Sequence, residues 1–328
     1  MVTRSDVAKR AGVSVAVVSY VLNNQDKVKA STRAKVLEAV EALGYQPNLL
    51  ARSLKTKKTN QLAVLVNNLG NPFEAGILLR LEIAAREAGY AVFFQTYQED
   101  AAAQLRQTLA GRVDGVIALG QRLPGGTVGH FRSAGIPVVS IMRSAEPMDG
   151  VPCVEIDWVG AMRTMIRHLR DAGHERIAFL AHENEAHPLH YRYEAFLEAM
   201  RLEGMAFHAA DRLAASGIFE TAYAALLPEL GRARPYTALL CANDLMAVGA
   251  LGACRDAGVG VPSELAIAGC EDILMSSQTS PAVTTIHYPR EAIGTIALDM
   301  LGRLMDGASV DDVALEGTLL VRGSTTPV

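Results

Sequence analysis

Apolar positions in the first 44 residues recur at the spacing of short amphipathic helices, each with its own start and stop signal. Thr3 or Ser5 caps a first helix that runs to Lys9 or Arg10, and Gly12 ends it in a tight turn. Ser14 opens a second helix, Val15–Leu22, which places Val18, Val21 and Leu22 on one face and Val15, Ala16, Ser19 and Tyr20 on another. Ser31 caps a third, Thr32–Leu43, with Ala34, Val36, Leu37, Val40 and Leu43 apolar, and Gly44 stops it. Two short helices joined by a glycine-containing turn of about four residues and packed on a third make a helix-turn-helix arrangement.

Pro47 interrupts the helical pattern and Asn48 can cap a short piece, Leu49–Lys55, too short to be stable alone in water. Its Leu50, Ala51 and Leu54 form an apolar face ringed by Arg52, Lys55, Lys57 and Lys58. The segment reads either as a hinge that orders on binding or as a flexible linker. From Gln61 the period switches to alternating strands and helices: strands at 62–66, 91–95, 115–119 and 137–141, helices at 73–88 and 101–109. The pattern restarts with a strand at 151–156, followed by helix 160–172, strand 176–181, helix 189–201 and a helix through 222–227. Strand 238–241, helix 243–257, strand 265–268, helix 290–305 and a final strand near 315–321 complete it. Near-continuous apolar strands between helices indicate parallel sheets covered on both faces. The fold class is therefore an all-α helix-turn-helix head followed by an α/β core of two parallel-sheet lobes, with a ligand cleft expected at the carboxyl ends of the strands. The expected divisions are a DNA-binding domain at 1–46, a hinge helix and linker at 47–60, and a bilobed domain at 61–328.

Charge sharpens this division. Residues 1–58 carry eleven Lys and Arg against four acidic residues, a net of +7, which leaves −11 on the rest of a chain whose total is −4. A basic head on an acidic body points to a head that meets a polyanion. Half of the 328 residues are hydrophobic but only 5% are aromatic, a balance typical of Ala/Val/Leu-rich α/β proteins, so disorder is excluded as the main state. No uncharged apolar run approaches the roughly 18 to 20 residues a membrane span needs, and no apolar stretch follows Met1–Asp6 as a leader would require. A cytoplasmic location without membrane contact is expected. Cys153, Cys241, Cys254 and Cys270 are widely spaced in apolar surroundings and suggest neither disulfides nor a zinc site.

No catalytic constellation is visible. There is no Gly-x-Ser-x-Gly and no Walker A loop, and Gly258-Val259-Gly260 runs into Val261-Pro262-Ser263 without the third glycine of a dinucleotide fingerprint. His182, His187 and His190 cluster with Glu183 and Glu185, but an acidic, histidine-bearing loop at a cleft mouth explains them better than a metal site does. No metal, cofactor or enzymatic activity is expected.

Head and body together carry a resemblance. The run Thr3-Arg4-Ser5-Asp6-Val7-Ala8-Lys9-Arg10-Ala11-Gly12-Val13-Ser14, followed by Val18-Ser19-x-Val21-Leu22-Asn23, closely resembles the helix-turn-helix of the lactose-repressor (LacI/GalR) family of bacterial transcription regulators. Tyr45-x-Pro47-Asn48 and Ala51-Arg52-Ser53-Leu54 look like that family's hinge. The body agrees: Asn71-Pro72-Phe73, Arg112-Val113-Asp114-Gly115, Gly173-His174-x-Arg176, Ala242-Asn243-Asp244-x-Met246-Ala247 and Thr284-Thr285-Ile286 all resemble its core. The order and spacing of these motifs over essentially the whole chain make the resemblance specific.

The resemblance implies a homodimeric, ligand-responsive regulator, most simply a repressor, on a pseudo-palindromic duplex DNA operator. In it Val15 and Ala16 touch thymine methyls, Tyr20 meets a base edge or phosphate, and Thr3, Ser5, Ser14, Ser19 and Asn23 contact phosphates. Leu54 would wedge into the minor groove, Ala51 would let paired hinges approach, and Lys55 would add charge there. Val17 and Tyr20 stand where the family usually has Thr and often Arg, which removes a hydroxyl contact and a bidentate guanine reader; alternatively Val17 simply packs on the first helix and Tyr20 only covers phosphate. For a small effector the resemblance nominates Phe73 as a stacking aromatic, Asp157 and Arg192 as polar contacts, Asn243 and Asp244 at a strand end, and Glu271 in place of the usual Asp. Glu74 and Arg212 replace common aromatics, which suggests a ligand more polar than a plain sugar. Asp244 can equally cap a helix, Arg192 can form an internal ion pair, and Trp158 can line the cleft or cover the lobe junction. A sugar- or nucleoside-capturing solute-binding protein without a DNA role is the alternative.

Overall fold

The structure is a computed structural model that describes residues 2–22, 28–46, 56, 58–97, 101–142, 148–184 and 190–326. The chain divides into two units, Met1–Thr59 and Asn60–Val328. The expected hinge helix at 49–55 lies outside the described residues.

Unit one contains α1 (Arg4–Ala11), α2 (Val15–Leu22) and α3 (Ala30–Ala42). Thr3 caps α1 in a reciprocal box: its hydroxyl accepts from the Asp6 amide at 3.3 Å, while its own amide donates to the Asp6 carboxylate at 2.8 Å. Gly12 closes the helix at φ +66°, a conformation that costs glycine nothing, and Ser14 accepts from the Val17 amide at the start of α2. Val7, Ala8, Val18, Val21, Val36, Ala39 and Tyr45 make the buried centre. The expected cap of α3 is corrected. The helix begins at Ala30 with Lys29 in the capping position and no side-chain cap, so Ser31 lies inside the helix. Its buried face runs through Val36 and Ala39, which turns Ala34 and Leu37 toward solvent.

Unit two is built on two parallel sheets. The first contains β1 (Gln61–Val66), β2 (Ala91–Thr96), β3 (Gly115–Leu119), β4 (Val138–Ile141), β5 (Cys153–Ile156) and β11 (Val313–Leu315), in the order β11-β5-β4-β3-β1-β2. The second contains β6 (Ile177–His182), β7 (Arg212–Ala215), β8 (Ala238–Cys241) and β9 (Ala266–Ala268), in the order β7-β6-β8-β9. A separate two-stranded antiparallel ribbon pairs β10 (Thr285–His287) with β12 (Thr318–Leu320). The helices are α4 (Pro72–Glu87), α5 (Ala102–Leu109), α6 (Gly125–Ser133), α7 (Trp158–Asp171), α8 (His190–Leu202), α9 (Phe219–Leu230), α10 (Asp244–Ala257), α11 (Leu274–Gln278) and α12 (Arg290–Met305).

The strand near 151–156, expected to open the second lobe, pairs with β4 in the first sheet. The single strand expected near 315–321 is two: β11 pairs in parallel with β5, and β12 pairs with β10. α6 was not expected, because three glycines in Gly125–Ser133 mask its buried face of Thr127, Val128 and Phe131. β2 departs from the covered-strand expectation: it is an edge strand whose Phe93 and Phe94 are exposed, whereas Leu62–Val66 of β1 are fully buried.

Candidate functional site

On α2, burial separates two faces. Val18 and Val21 are buried, Val17 and Ser19 are half-buried, and Ser14, Val15, Ala16 and Tyr20 are exposed. Arg4 donates to the Ser19 hydroxyl at 3.4 Å, which ties the first turn of α1 to the middle of α2. The Thr3 hydroxyl donates to Asp6 at 2.7 Å, so it serves the cap, while Ser5 is exposed beside it. Asn23, Ala51, Leu54 and Lys55 lie outside the described residues. The exposed α2 face therefore offers two small apolar groups, a hydroxyl and a phenol on a basic unit, which suits thymine methyls and phosphates.

In unit two a cavity of about 150 Å³ lies at the carboxyl ends of strands from both sheets. Asn67 and Asn68 follow β1, Gly120 follows β3, Met142 follows β4 and Trp158 lies just beyond β5. From the second sheet, Ser216, Gly217 and Ile218 follow β7, Leu245 opens α10, and Glu271 follows β9. This is the crevice position that parallel α/β sheets offer to ligands. Asn71 caps α4 by accepting from the Phe73 and Glu74 amides at 2.9 and 3.3 Å, with Pro72 in the first turn, and so aims Phe73 and Glu74 at the cavity.

Of the sequence-predicted residues, Phe73, Glu74, Arg192 and Glu271 line this cavity together with Trp158. Arg192 is buried; one of its terminal nitrogens donates to the Ala242 carbonyl at 2.7 Å and to Glu271 Oε1 at 2.8 Å. Burial pushes the carboxyl groups of Glu74 and Glu271 up to about 7, against the opposing pull of the Asn68 amide on Glu74 and of Arg192 on both. Glu271 sits at φ +136° and Asp272 at φ +54°, backbone conformations that L-residues avoid. Arg290 holds both carbonyls, at 2.7 and 3.0 Å, while Arg322 and His287 hold the Asp272 carboxylate.

The other nominated residues are placed elsewhere, each for a local reason. Asp157 accepts from the Gly160 amide and caps α7. Asn243 caps α10 and donates to the Gly217 carbonyl at 2.8 Å, while Asp244, fully buried, accepts from the Thr285 hydroxyl at 2.6 Å and the Ile273 amide at 3.0 Å. Both brace cavity-lining loops without lining the cavity. Arg212 begins β7 and so lies at the amino end of the strand, over the Tyr193 ring, whereas the cavity is at the carboxyl ends. Sequence reasoning missed Asn67, Asn68, Gly120, Met142 and Ser216, although each stands within two residues of the end of a strand, which is the signal that finds them. Among the described residues no group of three or more His, Cys, Asp or Glu side chains is placed to hold a metal ion, and no helix is long and apolar enough to cross a membrane.

Comparison with known proteins agrees with both halves of this description. Residues 3–48 match the family of bacterial regulatory proteins called the lacI family, and residues 166–325 match the periplasmic binding protein-like domain. The HTH-type transcriptional repressor CytR of Escherichia coli (strain K12) is 32% identical, covering 98% of this chain and 96% of its own. Catabolite control protein A of Priestia megaterium is 30% identical, covering 94% of each. Among solved structures, the Lac repressor dimer bound to operator and the anti-inducer ONPF matches with a TM-score of 0.88 at 26% identity over 99% of both chains. A transcriptional regulator CelR–cellobiose complex matches at 0.74 and 29% identity over 99% of this chain and all of that one. The chain thus belongs to the LacI family of bacterial regulatory proteins, as a DNA-binding transcription regulator with a helix-turn-helix head and a periplasmic-binding-protein-like core.

Proposed function

We propose that the protein is a homodimeric repressor that reads a pseudo-palindromic operator through α2, and that a small polar effector binds in the cavity at the strand ends and sets the affinity for DNA. The observation that carries the DNA half is the exposed α2 face of Ser14, Val15, Ala16 and Tyr20, opposite the buried Val18 and Val21, on a unit of strongly positive charge. Hinge residues Ala51, Leu54 and Lys55 complete the interface in the minor groove. Pairing of two copies is supported by exposed apolar groups on neighbouring elements, Leu79 on α4 with Phe93 and Phe94 on the edge strand β2, where a second copy would cover them. The function is binding rather than turnover, carried out where the chromosome is, in the cytoplasm.

Effector binding and operator binding are then linked through a change in lobe geometry that biases the paired hinges. Selection of operator sequences from random DNA, followed by footprinting with the full chain, tests this reading. It should return two inverted half-sites, with affinity that falls steeply as salt rises. Only sequence-independent binding at moderate salt, with and without small molecules, would overturn it.

A further inference from the structure

The helix whose exposed face meets the DNA, α2, contains no charged side chain anywhere in Val15–Leu22. A guanidinium reaches it from another helix. Arg4, the first residue of α1, is half-buried and donates through one terminal nitrogen to the Ser19 hydroxyl at 3.4 Å. At about 100° per residue, Ser19 falls between Val15 and Ala16 on the circumference of α2, within the exposed face that continues to Tyr20. Val15, Ala16 and Tyr20 are exposed, whereas Ser19 among them is half-buried, with the arginine standing against its hydroxyl. A guanidinium carries five donors in a planar fork. The single long bond to Ser19 leaves the others without a protein partner among the described residues.

We infer that Arg4 is a specificity-determining residue: it enters the major groove beside α2 and reads a guanine, next to the base pairs that Val15 and Ala16 touch. The inference rests on the reading of α2 as the helix that enters the groove and deepens it. Phosphates line the rims of the groove, whereas base edges form its floor. A group held between Val15 and Ala16 faces the floor, so any docking that brings these two side chains to thymine methyls carries the guanidinium in with them. There its parallel N–H groups match the O6 and N7 acceptors on the edge of guanine, a pairing that no side chain of α2 can make with a charged fork. Ser19 holds the arginine from behind, which lowers the side-chain freedom lost on binding. The recognition surface is thus shared between two helices, with α2 supplying apolar contacts and α1 the cation.

The test selects operators from random DNA with the full-length wild type and with Arg4→Met, the variant being checked for folding by circular dichroism. Wild type should specify a guanine at one position of each half-site. Arg4→Met should bind that site roughly tenfold or more weakly, and its own selection should accept any base at that position while the others stay as they were. The slope of affinity against salt should be the same for both proteins, because a base contact releases no phosphate counterions. A second measurement needs no variant: replacing N7 of the selected guanine by carbon keeps the base pair but removes one acceptor, and should weaken wild type while leaving Arg4→Met unaffected. Equal weakening of Arg4→Met on all sequences, with a salt slope lower by about one per half-site, would make Arg4 a phosphate contact and overturn the inference. So would a selected operator with no specified guanine, or wild type indifferent to the loss of N7. In each of these cases sequence-selective binding through α2 stands. A wild type that selects no sequence at all removes the operator reading itself, and this inference with it.

Discussion

Arg192 on α8 sits over Trp158 at the start of α7, with its guanidinium carbon 4.1 Å from the ring centre and 6.0 Å from that of Phe73 on α4. Tyr288 packs edge-on against both rings, at 4.9 Å from Trp158 and 6.3 Å from Phe73. A cation held by two aromatic faces, a carbonyl and one carboxylate oxygen is a fixed part of the wall, because moving it forfeits all of these contacts together.

Replacing Arg192 with Met should therefore cost stability in proportion to the charge left on Glu271. The expected loss is about 2–4 kcal/mol at pH 8, where wild type ionises Glu271 against Arg192 and the variant must instead keep the buried carboxyl protonated, and clearly less at pH 6, where both hold the proton. Urea denaturation at the two pH values checks this. Equal losses would assign the effect to packing alone.

Glu74 and Glu271 also have a predictable sign in the pH dependence of folding. Both carboxyls are raised to about 7 in the folded chain, so the native state holds protons that the unfolded chain has released above about 4.5. These groups impose no penalty below that value, a growing one between about 4.5 and 7, and a constant one above. Glu271→Gln should accordingly gain stability relative to wild type as pH rises from 5 to 8, by on the order of 2–3 kcal/mol at most. The difference in melting temperature across that range is the readout, and a flat difference would contradict the assignment.

The two faces of α2 should respond in opposite ways to truncation. Val18 is fully buried, so Val18→Ala should destabilise the head by roughly 2 kcal/mol. Val15→Ala and Tyr20→Ala remove exposed groups and should leave folding within about 0.5 kcal/mol of wild type while weakening operator binding. Chemical denaturation of each variant, paired with gel shifts on the selected operator, separates the two effects.

Gly249 in α10 faces the backbone of α9 so closely that an added Cβ would overlap the Phe219 carbonyl oxygen and touch the Ala222 methyl. Alanine is the better helix former by about 1 kcal/mol, but here the overlap with backbone dominates, and Gly249→Ala should destabilise the core by about 1–3 kcal/mol. A lower melting temperature is the expected outcome, and a higher one would show that the two helices can separate freely.

Much of this was legible in the chain itself. The cap at Thr3, the turn at Gly12 and the two faces of α2 are local, written in residues a few positions apart, and β3, β8 and α12 fall where their apolar runs and flanking signals place them. The resemblance carried the family and brought Phe73, Glu74, Arg192 and Glu271 to attention. Which sheet a strand joins is not local: the run near 151–156 has the same apolar character in either lobe, and only pairing with β4 and β11 assigns it. The same holds for polar residues at strand ends. Asp244 and Glu271 are both acids beside a strand, yet Asp244 meets the Thr285 hydroxyl and the Ile273 amide while Glu271 pairs with Arg192 through one oxygen and its other has no partner among the described residues. Residue type and spacing determined what each segment could become. Long-range packing decided which polar groups found partners inside the protein and which did not, because a hydrogen bond depends on atoms that only the folded chain brings within about 3 Å of each other.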